Sequence, residues 1–460
     1  MAAALAVLTA SGAAVAQVRE DGPRLYQEQL RVELDKQQAA ARELGLDAGG
    51  WLSFGLFRYD DNTRQTRTLR QWQARLWASY SLQGVHQFYI RGMAGYNDWN
   101  AGDNARANEG DKYEDVDIER AWYRFDYNRM IRNRTGRDPE VGFTAEVGRN
   151  FHQIGSGLVL ALPLDAVRIT GHFRDWQLTG LAGMTVPDTA NIDNSAAVDD
   201  EMDRCFYGVE LRYTGFDRHE PYLYYLWQTD HTHERPNDAV QDYNYDSSYL
   251  GIGSGGSLIS PNLRYLAELV FETGRGFPQG TNRQREDVQA MALDVLLEYF
   301  FQCRTHPKIS FEYLWGSGDP DRRLSSTSTI GGNLIDTRDE AFNAFGFRDT
   351  GLALAPEVSN LHIIELGLSA FPLENLELFK KMEVGTKVYF YAKDKSKGAI
   401  SEPTGNQRSS WVGWEWDLFC NWRISSDVSL TVRYGAFQPG SAFADRGCRQ
   451  FLYTGLTYSF

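Results

Sequence analysis

Arginine recurs on one parity of segments that otherwise alternate with apolar residues. In residues 71–82, Trp72, Ala74, Leu76, Ala78 and Tyr80 alternate with Gln73, Arg75 and Ser79. In residues 414–424, Trp414, Trp416, Leu418, Cys420 and Trp422 alternate with Glu415, Asp417, Phe419, Asn421 and Arg423. In residues 428–437, Val428, Leu430, Val432 and Tyr434 alternate with Thr431 and Arg433. A period of two puts the two sets on opposite faces of a strand. Collecting the polar parity along the chain gives Arg75, Arg91, Arg120, Arg124, Arg168, Arg174, Arg212, Arg264, Lys308, Lys387, Arg423 and Arg433. The same parity carries Asp126, Glu210, Glu268, Asp294, Glu298, Glu312, Glu365, Glu383, Glu415 and Asp417. Guanidinium is always charged and offers carboxylate a planar fork. A surplus of such groups around a channel selects anions, provided each site lets go. The alternative is structural: cations and carboxylates paired along a wall that they hydrate and brace. Trp122, Tyr389, Tyr391 and Phe419 share the inward parity and either stack on sugar rings or fill space.

Strands must position these residues. Eighteen strand-like segments lie between residues 51 and 460, most of them at least as long as the ~9–11 residues a tilted strand needs to cross a bilayer. The connections alternate in length. Gln83-Gly84, the Arg174/Asp175 junction, Gln302 to His306 and Ser425-Ser426 are short. Asp98 to Asp115, Pro187 to Asp203, His231 to Tyr245, Ser317 to Ser359 and Asp394 to Ser409 are long. An even strand number with the long loops mostly at one end predicts an all-β, transmembrane antiparallel barrel of the bacterial outer membrane, with both termini in the periplasm. Ser317 to Ser359 is long enough to fold into the pore. The last strand ends at Phe460, the expected handle for the barrel-assembly machinery; outer-membrane lipid is the other expected partner.

Composition agrees. Trp 12, Tyr 24 and Phe 25 supply aromatic girdles while mean hydropathy stays negative, as it does when only alternate residues face lipid. A net charge of −14 argues against nucleic acid as a partner. Residues 1–16 read as a secretory signal ending in A-x-A, without a basic n-region. Residues 17–50 read as a periplasmic segment, helical over 21–46, with room for a periplasmic partner. The barrel is expected over 51–460. Cys205, Cys303, Cys420 and Cys448 lack metal-ligand spacing; Cys205 and Cys448 could pair, although free thiols are the simpler reading. His231-Thr232-His233 and the acidic stretch 103–117 read as solvated surface rather than metal sites. No cofactor and no catalytic constellation is expected.

Two patches resemble the alginate-export family of outer-membrane proteins. The stretch from Val412 carries Gly413, Glu415 and Asp417, a hydrophobic strand pair, and Phe437-Gln438-Pro439-Gly440. The second patch, residues 146–169, carries Gly148-Arg149 and, later, Arg168, with Asn150 where the family often has Gln. The resemblance implies an eighteen-stranded monomeric barrel with an electropositive constriction for a polyuronate. It also implies that Arg149, Arg168, Glu415, Asp417 and Arg433 are lumen groups. By simple parity Arg149 shares a face with Val147 and Phe151, so it enters the lumen only if Gly148 starts a bulge. The lumen-lining set expected from both arguments is Arg75, Arg91, Arg124, Arg149, Arg168, Arg212, Arg264, Lys387, Glu415, Asp417, Arg423 and Arg433. The expected function is passive diffusion of anionic oligo- or polysaccharide, or of small organic acids. A general porin of other selectivity, and a plugged barrel acting as scaffold or adhesin, are the alternatives.

Overall fold

In a computed structural model, residues 45–103, 112–186, 203–231, 245–276, 285–322, 325–327, 333–334 and 336–460 are described. The expected signal segment and leader helix therefore lie outside the described residues, as does most of the acidic 103–117 stretch. The strands are β1 (Gly45–Asp60), β2 (Thr66–Leu82), β3 (His86–Trp99), β4 (Lys112–Asp126), β5 (Val141–Ile154), β6 (Leu160–Phe173), β7 (Trp176–Thr185), β8 (Arg204–Tyr213) and β9 (His219–Asp230). They continue as β10 (Asp246–Ser257), β11 (Leu263–Gly276), β12 (Glu286–Phe300), β13 (Lys308–Gly316), β14 (Leu361–Ala370), β15 (Met382–Lys393), β16 (Trp411–Arg423), β17 (Val428–Pro439) and β18 (Arg449–Ser459). Each pairs antiparallel with its sequence neighbours, and β1 pairs with β18, so the eighteen strands close into a barrel. Closure leaves no sheet edge unpaired, the condition for backbone to survive in lipid.

The first strand begins at Gly45, not Trp51, so Leu46 and Gly49-Gly50 belong to a strand rather than to the end of a helix. The closing seam explains the glycines. Gly50 and Phe460 exchange backbone bonds of 3.0 and 2.9 Å, and a Cβ on Gly50 would sit 2.6 Å from the Arg75 carbonyl oxygen. The alternation reads as expected. Trp414 and Trp416 are 41% and 42% exposed on the outer face, whereas Glu415 and Asp417 are 0% and 3% exposed inside. An Arg or Lys on that outer face at mid-bilayer would cost ~2–4 kcal/mol, so most strand charges point inward.

The long connections share one end, the outer end of such barrels. The opposite end holds tight turns and two longer connections, 371–381 and the one carrying the only helix among the described residues, α1 (Tyr127–Thr135). The Asp126 carboxylate caps its start by accepting from Arg129 N at 3.0 Å, and Gly136, at φ 70°, ends it. Asn133 Nδ2 donates to Gln83 O at 2.9 Å and fixes α1 under the β2–β3 turn.

Two outer-end connections fold into the barrel. The tip between β5 and β6 bends over β8 and β11: Gly155 N donates to Glu210 at 2.8 Å and Ser156 N to Glu268 at 2.6 Å. The described part of the β13–β14 connection, within 317–360, lies across the lumen and pairs with that tip, Phe345 N to Val159 O at 2.8 Å and Ala161 N to Phe345 O at 3.0 Å. Its Phe342 and Phe345 pack with Leu160, Phe206, Tyr249 and Val270, while Leu354 packs with Tyr391 and Phe437. Leu352 reaches Phe57, Phe451 and Tyr453 beside the closing seam.

Candidate functional site: the luminal constriction

Strand register puts carboxylates face to face on one side of the lumen. Glu268 is the cross-strand partner of Asp294, and Glu312 of Glu365. Opposed like charges destabilise a sheet, so cations must lie between them. The inserted loop brings one. Arg348 Nη2 sits 3.0 Å from Asp294 and also touches Glu312. Lys387 Nζ bridges Glu365 at 3.1 Å to the loop's Asp349 at 2.7 Å.

The remaining carboxylates hold loop backbone. Glu415 accepts from Leu352, Ala353 and Leu354 N at 2.5, 2.6 and 2.8 Å. Glu272 accepts from Asn343 N at 2.9 Å and from Tyr245 OH at 2.7 Å. The acidic side, from β8 to β16, is thus a socket for the loop.

The other side, running from β17 through the seam to β6, is basic. Arg75 and Arg91 flank the Trp51 ring at 6.0 and 5.7 Å, and their Nε atoms reach Glu119 at 3.0 and 2.8 Å. Arg120 Nη1 donates to the Glu119 carbonyl oxygen at 2.7 Å. Arg124 lies 4.7 Å over Trp122 and 2.9 Å from Glu146. Arg433 stacks on Phe419 at 5.3 Å and donates to Val432 O at 3.1 Å. Among the described residues, no carboxylate lies within ion-pair range of Arg433 or Arg168.

The expected lining residues therefore fall into four groups. Arg75, Arg91, Arg124, Arg168 and Arg433 share the basic wall. Arg212 (2.9 Å from Glu210) and Lys387 neutralise the acidic wall, where Glu415 holds the loop and Asp417 is buried beneath it. Arg264, 5.0 Å over Phe300, and Arg423, bonded to Ser426 O at 3.2 Å, lie at the periplasmic ends of their strands. They line the mouth, not the constriction. Arg149 is the correction. Pairing runs unbroken through Val147↔Val167, Gly148↔Ala166 and Arg149↔Asp165, so Gly148 starts no bulge. Arg149 stays on the outer face, bonded to Asp165 at 2.9 Å. Gly148 instead relieves a close approach: at φ +123° its Cβ would meet the Ala121 carbonyl oxygen at 2.2 Å.

Glu119 was missed because parity fails there. Arg91 pairs with Arg120 and Gly92 with Ile118, leaving Glu119 as the extra residue of a bulge, and it turns inward. The inward aromatics divide as well. Tyr389 and Tyr391 are sealed under the loop as filler, whereas Trp122 underlies Arg124. All four cysteines are free. No cluster of His, Cys, Asp and Glu suited to a metal, and no helix long and apolar enough to cross a membrane, occurs among the described residues.

A closed eighteen-stranded antiparallel barrel with an apolar outer belt, a charged lumen and an inserted loop is an outer-membrane channel. Structures of the same architecture include OccK5 (OpdH) of Pseudomonas aeruginosa, with a TM-score of 0.54 at 11% identity over 91% of this chain and 99% of that one. A BenF-like porin from Pseudomonas fluorescens Pf-5 aligns with a TM-score of 0.53 at 12% identity, over 91% of this chain and all (100%) of that one. OccK11 (OpdR) of Pseudomonas aeruginosa gives 0.52 at 13% identity, over 90% of this chain and 96% of that one. At such identities the likeness is one of fold. The alginate-export family model matches residues 163–455, and the chain belongs to that family. None of the curated proteins matches it. Barrel, family and neighbours together locate the chain in the bacterial outer membrane.

Proposed function

We propose that this barrel passes organic anions by passive diffusion, small carboxylic acids and short anionic saccharides above all. One observation carries this reading: the inserted loop occupies the acidic wall and leaves the basic wall facing the passage. Loop groups neutralise or cap Glu272, Asp294, Glu312 and Glu415, while Arg168 and Arg433 face the lumen without a carboxylate among the described residues. A carboxylate entering there meets fork-shaped donors that hold it in steps and release it. The family resemblance favours a polyuronate as cargo. The two inserted segments narrow the passage, which favours short acids over a polymer.

The test is single-channel recording of the purified barrel in a KCl gradient, followed by added polyuronate or organic acid. A chloride-selective current reduced by those acids is the expected result. An unselective current indifferent to them would leave a general porin, and silence in every preparation would leave a plugged scaffold.

A further inference from the structure

Four rings on the luminal parity cross the periplasmic half of the basic wall on successive strands: Trp51 on β1, Trp77 on β2, Tyr89 on β3 and Trp122 on β4. Trp51 is the cross-strand partner of Arg75, Trp77 of Arg91, and Tyr89 of Trp122. The Tyr89 ring lies 6.2 Å from Trp77 and 5.5 Å from Trp122, with planes 17° apart in both pairs. Near-parallel rings at those separations are offset, so the three continue one another as a strip. Trp77 leans across β1, where its partner Gly49 leaves room: a Cβ there would stand 3.1 Å from Trp77 Cζ2. The next luminal position on β2 is Ser79, too short to shield the indole.

Rings that only fill space look different in this barrel. Tyr389 and Tyr391 are 0% exposed and pack in an apolar cluster with Leu354 and Phe437. Trp77 and Tyr89 stay half-buried and join none of the apolar clusters among the described residues. The other two indoles already carry cations, Arg75 and Arg91 over Trp51 and Arg124 over Trp122 at 4.7 Å. Among the described residues no cation lies over Trp77. Arg124 stands at the periplasmic edge of the strip with its side chain 37% exposed, bonded to Glu146 at 2.9 Å. Apolar ring surface held toward water gains free energy when a ligand covers it. A flat ring beside a half-exposed guanidinium suits a ligand that joins the two features, a ring bearing a carboxylate.

We propose that the strip from Trp77 to Trp122 receives the flat face of a six-membered ring during passage, with Trp77 as the contact surface and Arg124 drawing the carboxylate to its edge. The channel thereby favours acids built on a ring over open-chain acids of the same charge. This rests on the reading of the pore as an anion path and adds a second feature of the cargo that the wall reads. The ring is that of a sugar acid or of an aromatic acid, which present the same flat apolar face.

The probes are glucuronate, benzoate and the open-chain acid gluconate, all singly charged, added on the periplasmic side during single-channel recording of the intact barrel. The readout is the concentration that halves the chloride current. In wild type a ring acid should reach it at about fivefold lower concentration than gluconate. Trp77→Leu keeps an apolar side chain but removes the flat face, and should bring the ring acids to the level of gluconate without moving the reversal potential. Ser79→Leu stands a branched side chain beside Trp77 and opposite Tyr89 and should do the same, which keeps the test open where Trp77→Leu fails to fold. Trp77→Phe should retain most of the ring advantage. An advantage for glucuronate alone would assign the strip to sugar acids, and for benzoate alone to aromatic acids. Equal concentrations for all three acids in wild type, or an advantage that survives both leucine variants, would overturn the strip. A wild type without chloride preference that still favours ring acids would overturn the anion path and leave the strip standing, so the two failures are distinct.

Discussion

The most consequential single residue on the basic wall is an acid. Glu119 takes Arg75 and Arg91 on its carboxylate and Arg120 on its carbonyl oxygen. Hydrogen bonds to charged groups are worth ~1.5–3 kcal/mol each. Glu119→Gln should therefore lower the unfolding midpoint in denaturant and raise chloride preference in a KCl gradient, since a negative charge leaves the constriction. A stability loss with unchanged selectivity would mean that Arg75 and Arg91 do not face the ion path. Arg149 and Arg433 make the complementary comparison. Arg433→Gln should reduce the reversal potential, because its charge faces the lumen without a carboxylate among the described residues. Arg149→Gln should leave it alone, because that charge sits outside beside Asp165. Equal effects would sink the assignment of faces. The alternation of residues 146–152 already showed Arg149 to be on the outward parity, and only the resemblance argued otherwise. Glu119 was illegible because a one-residue bulge reverses parity, and its signal is a backbone register that no side chain declares.

At the scale of elements, the strands were legible because each has one lipid face, and lipid tolerates few exceptions. The connections were legible in length but not in destination. The 317–360 loop could be read as long enough to enter the pore, yet its seat depends on carboxylates from β11, β12, β13, β14 and β16 meeting across strands. Such meetings exist only once the register is set. The helix α1 was missed although Asp126 and Gly136 bracket it as caps and Tyr127, Met130 and Ile131 recur at i, i+3 and i+4, because nine residues dominated by Arg and Asn give that period too little length to stand out. The seating of the loop makes its own prediction. Arg348→Met leaves Asp294 and Glu312 facing each other and Glu268 without their cation. Removing one member of a buried ion pair costs about 3–5 kcal/mol, enough to unseat the adjoining stretch. Conductance should rise, and selectivity should shift toward potassium as the acidic socket opens to the lumen. Higher conductance with unchanged chloride preference would mean that the socket does not face the path.

The whole molecule carries a net charge of −14, while its passage is read as basic, so the two levels make opposite demands on an ion. Salt concentration separates them. Charges act over about 10 Å in 0.1 M salt and about 3 Å in 1 M. In dilute KCl the fields of Arg168, Arg433 and the net-positive cluster of Arg75, Arg91 and Glu119 behind them overlap across the space left beside the loop, and potassium is repelled from it. In concentrated KCl each field shrinks to its own side chain, and the middle of the passage becomes neutral. Reversal potentials measured across a fixed tenfold gradient should therefore show strong chloride preference at a mean concentration of about 0.1 M that fades toward 1 M. If the wall charges were balanced, the potential would stay near zero at both concentrations. If the acidic exterior and loops governed entry, dilute salt would favour potassium instead. A sign change toward potassium in dilute salt would place the dominant charge at the mouths and remove the basis for an anion channel. Chloride preference that fades with salt would place it on the luminal wall from β17 to β6, where the inserted loop leaves the arginines facing the passage.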